Sequence, residues 1–185
     1  GTDDTVAAIR AHDIVLKSAS SSCLVTLSLG ETTKEITLRL SVPGQHNVSN
    51  ALAAIATATC LGIDAETAVN ALESFTGVER RFQRYRTSNN IDVVDDYAHH
   101  PTEIAAVIGT ARLSCPRRLV VLFQPHRYTR TARLLARFGE TLACADEVLL
   151  TNVYAASESP IEGADAFAIA AAIKNVAPIP VQVVD

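Results

Sequence analysis

The chain has 185 residues, 48% of them hydrophobic and 19% charged, which suits one domain or two small ones with a packed core and excludes a disordered chain. A formal net charge of −4 speaks against a dedicated nucleic-acid binder, which is ordinarily basic. No apolar run reaches the ~18 residues of a membrane span, and Gly1-Thr2-Asp3-Asp4 has neither the basic flank nor the apolar stretch of a signal peptide.

The four cysteines, Cys23, Cys60, Cys115 and Cys144, form no C-x-x-C pair. Buried thiols in a reducing, cytoplasmic setting are therefore expected, and a zinc or redox motif is not. The basic residues are 13 Arg and only 3 Lys. Arg is the better bidentate partner for carboxylate and phosphate, so local arginine clusters merit a search.

In chain order, residues 14–41 alternate as strands, with Gly30 to Thr33 as the turn of a hairpin and Pro43-Gly44 as the break after it. A helix is expected from about Asn47 to Leu61, ended by Gly62. A second, capped by Asp64, runs to about Ser74. The three-residue connection makes the two antiparallel. Residues 80–88 carry four arginines and no aliphatic core, which places a domain boundary near residue 79.

Strands and helices then alternate. Strands are expected at 91–96, 118–124, 147–151 and 180–184, and helices at about 102–112, 129–143 and 164–175. Such alternation, with the apolar run Leu119-Val120-Val121-Leu122-Phe123, implies a buried, doubly wound parallel sheet. Sheets of this kind bind ligands at the carboxyl ends of their strands.

Two strand ends are dense in polar groups. Asp95-Asp96-Tyr97-Ala98-His99-His100-Pro101 opens a helix whose N-terminus attracts anions. Gln124-Pro125-His126-Arg127-Tyr128-Thr129-Arg130 puts two guanidiniums on one entry turn, which suits a carboxylate or phosphate clamp. Arg133 and Arg137 continue the series as solvated helix residues. A third cluster, His46, Asn47 and Asn50, shares the first turn of the earlier helix, and an Asn amide can pair with the edge of adenine. The first cluster also contains the donor types of a metal site in Asp95, Asp96, His99 and His100. The chain has no G-x-x-x-x-G-K-[ST] phosphate loop, no G-x-G-x-x-G and no G-x-S-x-G.

Pro43-Gly44-Gln45-His46-Asn47 through Asn50-Ala51, Gly77-Val78-Glu79-Arg80-Arg81-Phe82, Asp95 to Glu103, and Phe123 to Thr131 follow one another here with the gaps found in the Mur ligases. The chain resembles that family from about residue 14 to 185. Val153-Tyr154, followed by Ser159-Pro160-Ile161-Glu162-Gly163-Ala164-Asp165, resembles the members that join L-alanine to UDP-N-acetylmuramate in peptidoglycan precursor synthesis.

The resemblance implies that residues 1–79 are the end of a central ATP-binding domain and 80–185 most of a Rossmann-like C-terminal domain. The UDP-sugar domain, the phosphate loop and the main magnesium ligands are expected upstream, with no metal ligand in this chain. The family reaction uses ATP and Mg2+ to turn a carboxylate into an acyl phosphate, which the amine of the amino acid then attacks. By resemblance, His46, Asn47 and Asn50 would frame the adenine, Arg81 would reach the ATP, and Asp96 would hold the ribose. His99 would sit beside the reacting groups. Arg127 and Arg130 would anchor the alanine carboxylate or the developing phosphate charge, with Tyr97 and His126 close by. The rivals are a ligase that recycles a tripeptide onto UDP-muramate, a metal-dependent phosphohydrolase, and a non-catalytic nucleotide-binding module.

Overall fold

The computed structural model describes residue 2 and residues 8–29, 32–89 and 91–184. Two compact units divide between Asp95 and Asp96, and each has its own hydrophobic core.

The first unit opens with an antiparallel meander of β1 (Ile9–Leu16), β2 (Ser21–Leu29) and β3 (Thr32–Leu40). The expected hairpin is thus three strands, beginning at Ile9 and not at 14. The pairing of β1 slips between His12 and Val15, and Asp13 there has a φ of 50°. A bulge of this kind breaks the period-two pattern by which a strand is read from sequence. In the expected turn, Gly30 and Glu31 lie outside the described residues.

Alternate residues of the meander, among them Val25, Leu27, Leu38 and Leu40, share a core with Val48, Leu52 and Ile55 of α1 (Gln45–Cys60) and Val69 of α2 (Ala65–Glu73). The helix ends follow the sequence. Gly62 has the left-handed φ of 81° that favours glycine at a C′ position. The Asp64 carboxylate accepts from the amides of Glu66 and Thr67 at 2.9 and 3.1 Å.

The arginine-rich stretch holds a strand that its composition hides. β4 (Gln83–Arg86) pairs antiparallel with β5 (Asp92–Asp95) in a two-stranded ribbon. Asp92 makes the pairing possible, because it accepts from Arg84 at 2.9 Å and from Arg86 at 3.0 Å. β5 therefore pairs within the first unit and not with the parallel sheet for which it was expected. Arg84 also donates to the Ser18 carbonyl at 3.0 Å. Packing keeps the ribbon with the meander, so the compact division falls at 95/96, whereas the composition changes near 79.

The second unit contains α3 (Pro101–Arg112), β6 (Val120–Phe123), α4 (Tyr128–Leu142), β7 (Glu147–Leu150), α5 (Ala166–Val176) and β8 (Val181–Val183). β6, β7 and β8 form a parallel sheet in that order. Right-handed crossovers between successive neighbours place α4 and α5 on the same face. Phe123, Val148 and Leu150 are buried there with Phe138, Leu142, Ile169 and Ile173. The opposite face is open: Val120 and Leu122 are 44% and 66% exposed. The run 119–123, expected to be buried on both faces, is covered on one, because the two crossover helices lie on one side only.

α4 and α5 meet at Gly139. A Cβ built there would lie 2.8 Å from the Ala172 carbonyl carbon and oxygen. By contrast, a Cβ at Gly109 in α3 would meet nothing within 4 Å. Gly139→Val is expected to cost about 1–3 kcal/mol by forcing the helices apart, whereas Gly109→Ala should gain up to ~1 kcal/mol from helix propensity. Urea denaturation of the two variants checks both, and equal midpoints would contradict the close approach.

Candidate functional site

The first unit carries a cleft of about 390 Å³ lined by Pro43, Asn47, Gly77, Glu79, Arg81 and Phe82 among others. α1 starts beside it because Gly44, at a φ of 99°, turns the chain after β3. The Asn47 amide nitrogen donates to the Pro43 carbonyl at 2.7 Å, which holds that side chain at the mouth of the helix. On the other wall the segment 77–82 is tightly folded. Arg80 and Phe82 have φ values of 55° and 49°, and Phe82 is buried. Of the five residues expected to frame a nucleotide, the cleft brings together Asn47 and Arg81. His46 is half-buried on the same helical turn, and Asn50 is exposed farther along it. Asp96 belongs to the second unit, where its carboxylate accepts from the Ala98 amide at 2.7 Å and shapes the turn after β5.

In the second unit, four rings stand in a row across two strand ends. Tyr97 and His99 meet edge to face at 5.3 Å between centroids. His99 and His126 are 5.7 Å apart, and His126 and Tyr154 are 5.3 Å apart. The His99 Nδ1 lies 3.0 Å from the Tyr97 carbonyl oxygen. A carbonyl can only accept, so Nδ1 carries a proton. His126 has the other tautomer. Its Nδ1 lies 3.5 Å from the Arg130 Nη1, which can only donate. His100 is no part of the row: it caps α3, accepting from the Thr102 amide at 3.3 Å. Glu103 closes the capping box by accepting from the amides of His99 and His100.

Arg127 and Arg130 stand at the start of α4, as their spacing suggested. Arg127 is the N-cap at a φ of 72°, with no capping side chain of its own. Its amide donates to the Tyr154 carbonyl at 2.8 Å, and the Tyr154 amide donates to the Pro125 carbonyl at 2.8 Å. The orphan amide of Thr129 is satisfied from a distance by Glu158, at 3.0 Å, and the Thr129 hydroxyl donates to the same carboxylate at 2.7 Å. Arg127 Nη1 reaches it at 3.5 Å. Arg137 reaches across from α4 to donate to the Thr102 hydroxyl at 3.2 Å; Arg133 is exposed.

Tyr154 and Glu158 escaped the sequence reading as site residues. They lie on a loop with no periodicity, and only the fold brings them to His126 and Thr129. The metal-site alternative loses its cluster, since Asp95 pairs with Arg80 at 3.7 Å and His100 is a cap. Among the described residues no three His, Cys, Asp or Glu side chains gather as metal ligands.

These strand-end positions carry the features of a known family. The family description "Mur ligase, glutamate ligase domain" matches residues 80–185, and "Mur ligase middle domain" matches residues 1–58. The chain belongs to the Mur ligase family.

A curated UDP-N-acetylmuramate–L-alanine ligase from Desulforamulus reducens is 52% identical over 126 residues, covering 68% of this chain and 27% of that protein. Its counterpart from Delftia acidovorans is 44% identical over 174 residues, covering 91% of this chain and 36% of that protein. The crystal structure of a UDP-N-acetylmuramate-alanine ligase from Thermotoga maritima superposes with a TM-score of 0.75 at 33% identity, covering 98% of this chain and 38% of that one. A murein peptide ligase from Psychrobacter arcticus gives 0.68 at 26% identity, covering 100% of this chain and 37% of that one. The chain thus spans about a third of the length of the relatives it matches.

Electrostatics separates the roles of the Mur-ligase residues. Burial, followed by the Arg130 charge, and then by His99 and Arg127, pushes the His126 imidazole below its ordinary value, while Glu158 pulls the other way. His126 is therefore neutral near pH 7. The sign follows: with a folded pKa below the unfolded one, its contribution to stability is complete above the unfolded value of about 6.5 and is lost as pH falls toward the folded one. Proton-coupled NMR should find His126 titrating below an exposed histidine. Arg130→Gln should raise that midpoint. An unmoved midpoint would remove Arg130 from its surroundings.

Proposed function

We propose that this chain supplies the ATP-binding and amino-acid-binding residues of a ligase joining L-alanine to the carboxylate of UDP-N-acetylmuramate in peptidoglycan synthesis. On this reading residues 1–79 belong to a central ATPase domain and 80–185 to the amino-acid domain, in a cytoplasmic enzyme. No helix of the described residues is long and apolar enough to cross a membrane. The observation that carries the reading is the gathering of His99, His126 and Arg130 with the Arg127 turn at adjoining strand ends.

The chemistry asked of these groups is modest. L-alanine arrives as a zwitterion, and its amine must be free to attack an acyl phosphate. Arg127 and Arg130 would hold its carboxylate and so fix the direction of the amine. Neutral His126 accepts from Arg130 at Nδ1 and so has its Nε2–H left to donate, which suits an anionic oxygen of the acyl phosphate, and His99 would sit beside the reacting groups. Tyr97, 45% exposed beside His99, would bound the side-chain space. In the other unit Asn47 and Arg81 would contact ATP at the cleft they line, with His46 and Asn50 along the same helix; Asp96, of the second unit, would hold the ribose.

Magnesium would accompany ATP, and among the described residues no three His, Cys, Asp or Glu side chains gather to hold it. Its ligands are assigned to the segments that the relatives have and this chain does not. The missing phosphate loop has a direct consequence: the 185-residue protein alone should neither hydrolyse ATP nor ligate alanine. Measurable turnover by the pure chain would contradict this.

A full-length ligase carrying these 185 residues should release ADP only when both UDP-N-acetylmuramate and L-alanine are present. In it, Arg130→Ala should raise the KM for L-alanine at least as much as that for ATP, by roughly tenfold or more if one charge-assisted contact is lost. Steady-state kinetics varying each substrate in turn decides the point. An unchanged alanine requirement would cancel the assignment of Arg130. A preference for a tripeptide over L-alanine would favour the recycling ligase.

A further inference from the structure

The loop after β7, residues 151–165, does more than connect. Thr151 donates its amide to the Phe123 carbonyl at 3.1 Å. Tyr154 and His126 then form an isolated parallel bridge beyond the ends of β6 and β7. Two successive residues, Ala156 and Ser157, take φ values of 48° and 68°. Neither is a glycine, so the conformation is strained and must be held by its surroundings. The turn delivers Glu158, whose side chain is 19% exposed, to the entry turn of α4.

We infer that Glu158 is a positioning residue for the proposed ligase reaction, holding the first turn of α4 and the Arg127 guanidinium in the orientation that receives the amino acid's carboxylate. The inference rests on the function proposed above. Three contacts carry it: the Thr129 amide at 3.0 Å, the Thr129 hydroxyl at 2.7 Å and Arg127 Nη1 at 3.5 Å. They are unequal, and the inequality is informative. The two short contacts go to the helix, and the long one goes to the arginine. Glu158 thus acts first as a cap that α4 lacks in its own sequence, and second as a charge that orients Arg127 without a short bond that a ligand would have to break. The first contact fixes the direction of α4 and so of Arg130, one turn on. The backbone contacts of Tyr154 with residues 125 and 127 tie the same loop to the strand end.

Two substitutions separate the two roles. Glu158→Gln keeps an oxygen for Thr129 and removes the charge beside Arg127. Glu158→Ala removes both. In the 185-residue chain, amide hydrogen exchange at Thr129 should be roughly tenfold or more faster in Glu158→Ala and near wild type in Glu158→Gln. The His126 titration should move down in both, since Glu158 supports its protonated form. In a full-length ligase carrying the chain, both variants should raise the KM for L-alanine and leave the KM for ATP within about twofold, with the alanine variant the worse. Unchanged Thr129 exchange in Glu158→Ala, or KM values for L-alanine equal to wild type in both variants, would overturn the positioning role. A wild-type full-length protein without alanine-dependent ADP release would sink the ligase reading instead, and would leave the Thr129 result standing as a purely structural cap.

Discussion

The second unit depends on a parallel pairing that outlasts its strands. β6 ends at Phe123 and β7 at Leu150, yet hydrogen bonds continue through Thr151 to Phe123, Tyr154 to Pro125 and Arg127 to Tyr154. Strand ends of an open α/β sheet normally diverge into loops that move independently. Here the two loops remain laced together for four more residues. Arg127 is still paired when it must turn into α4, and so it turns at a φ of 72°. The position of both arginines is a consequence of that backbone constraint.

Backbone strain gathers near both candidate sites. Seven non-glycine residues among those described have a positive φ. Phe82 lines the cleft of the first unit, with Arg80 in the same segment, and Arg127, Ala156 and Ser157 surround the arginine turn of the second. Each costs of order 1–3 kcal/mol; Asp13, in the β1 bulge, and Cys115 lie apart from both places. Among the glycines, Gly44, Gly62, Gly77 and Gly163 also have a positive φ, and a Cβ at Gly62 or Gly163 would meet nothing within 4 Å.

What could be read in advance depended on how local the cause was. The ends of α1 and α2 were legible because Gly62 and Asp64 act on the residues beside them. The polar strand ends were legible because each cluster is contiguous, and the Arg127–Arg130 spacing already implies one helical turn. β1 was cut short because its bulge at His12–Val15 erases the alternation. β4 was missed because two of its four residues are arginines and two more arginines precede it, and the pairing with Asp92 lies beyond any local pattern. Glu158 and Tyr154 depend on contacts spanning about thirty residues, which no local pattern encodes.

The arginine surplus, ambiguous as composition, resolves into two populations by what each guanidinium holds. Arg112 is fully committed: it grips Asp146 with both terminal nitrogens at 2.8 and 3.0 Å and the Cys144 carbonyl at 2.9 Å. Asp146 in turn accepts from the Leu119 amide, so the group ties α3 to the edge of the sheet. The Arg112 bond, then that amide, holds the Asp146 carboxyl below the usual range, and the clasp persists until well below neutral pH. Arg84 and Arg86 are spent in the same way on Asp92. Arg127 and Arg130 differ in kind, because their side-chain contacts are at 3.4–3.5 Å, to Glu158 and to His126. A guanidinium bound at 2.8 Å to a carboxylate has little left to offer a second anion, whereas one restrained at 3.5 Å is oriented without being satisfied. On that difference in bond length, more than on the arginine count, rests the distinction between the residues that hold the unit together and those proposed to meet a ligand.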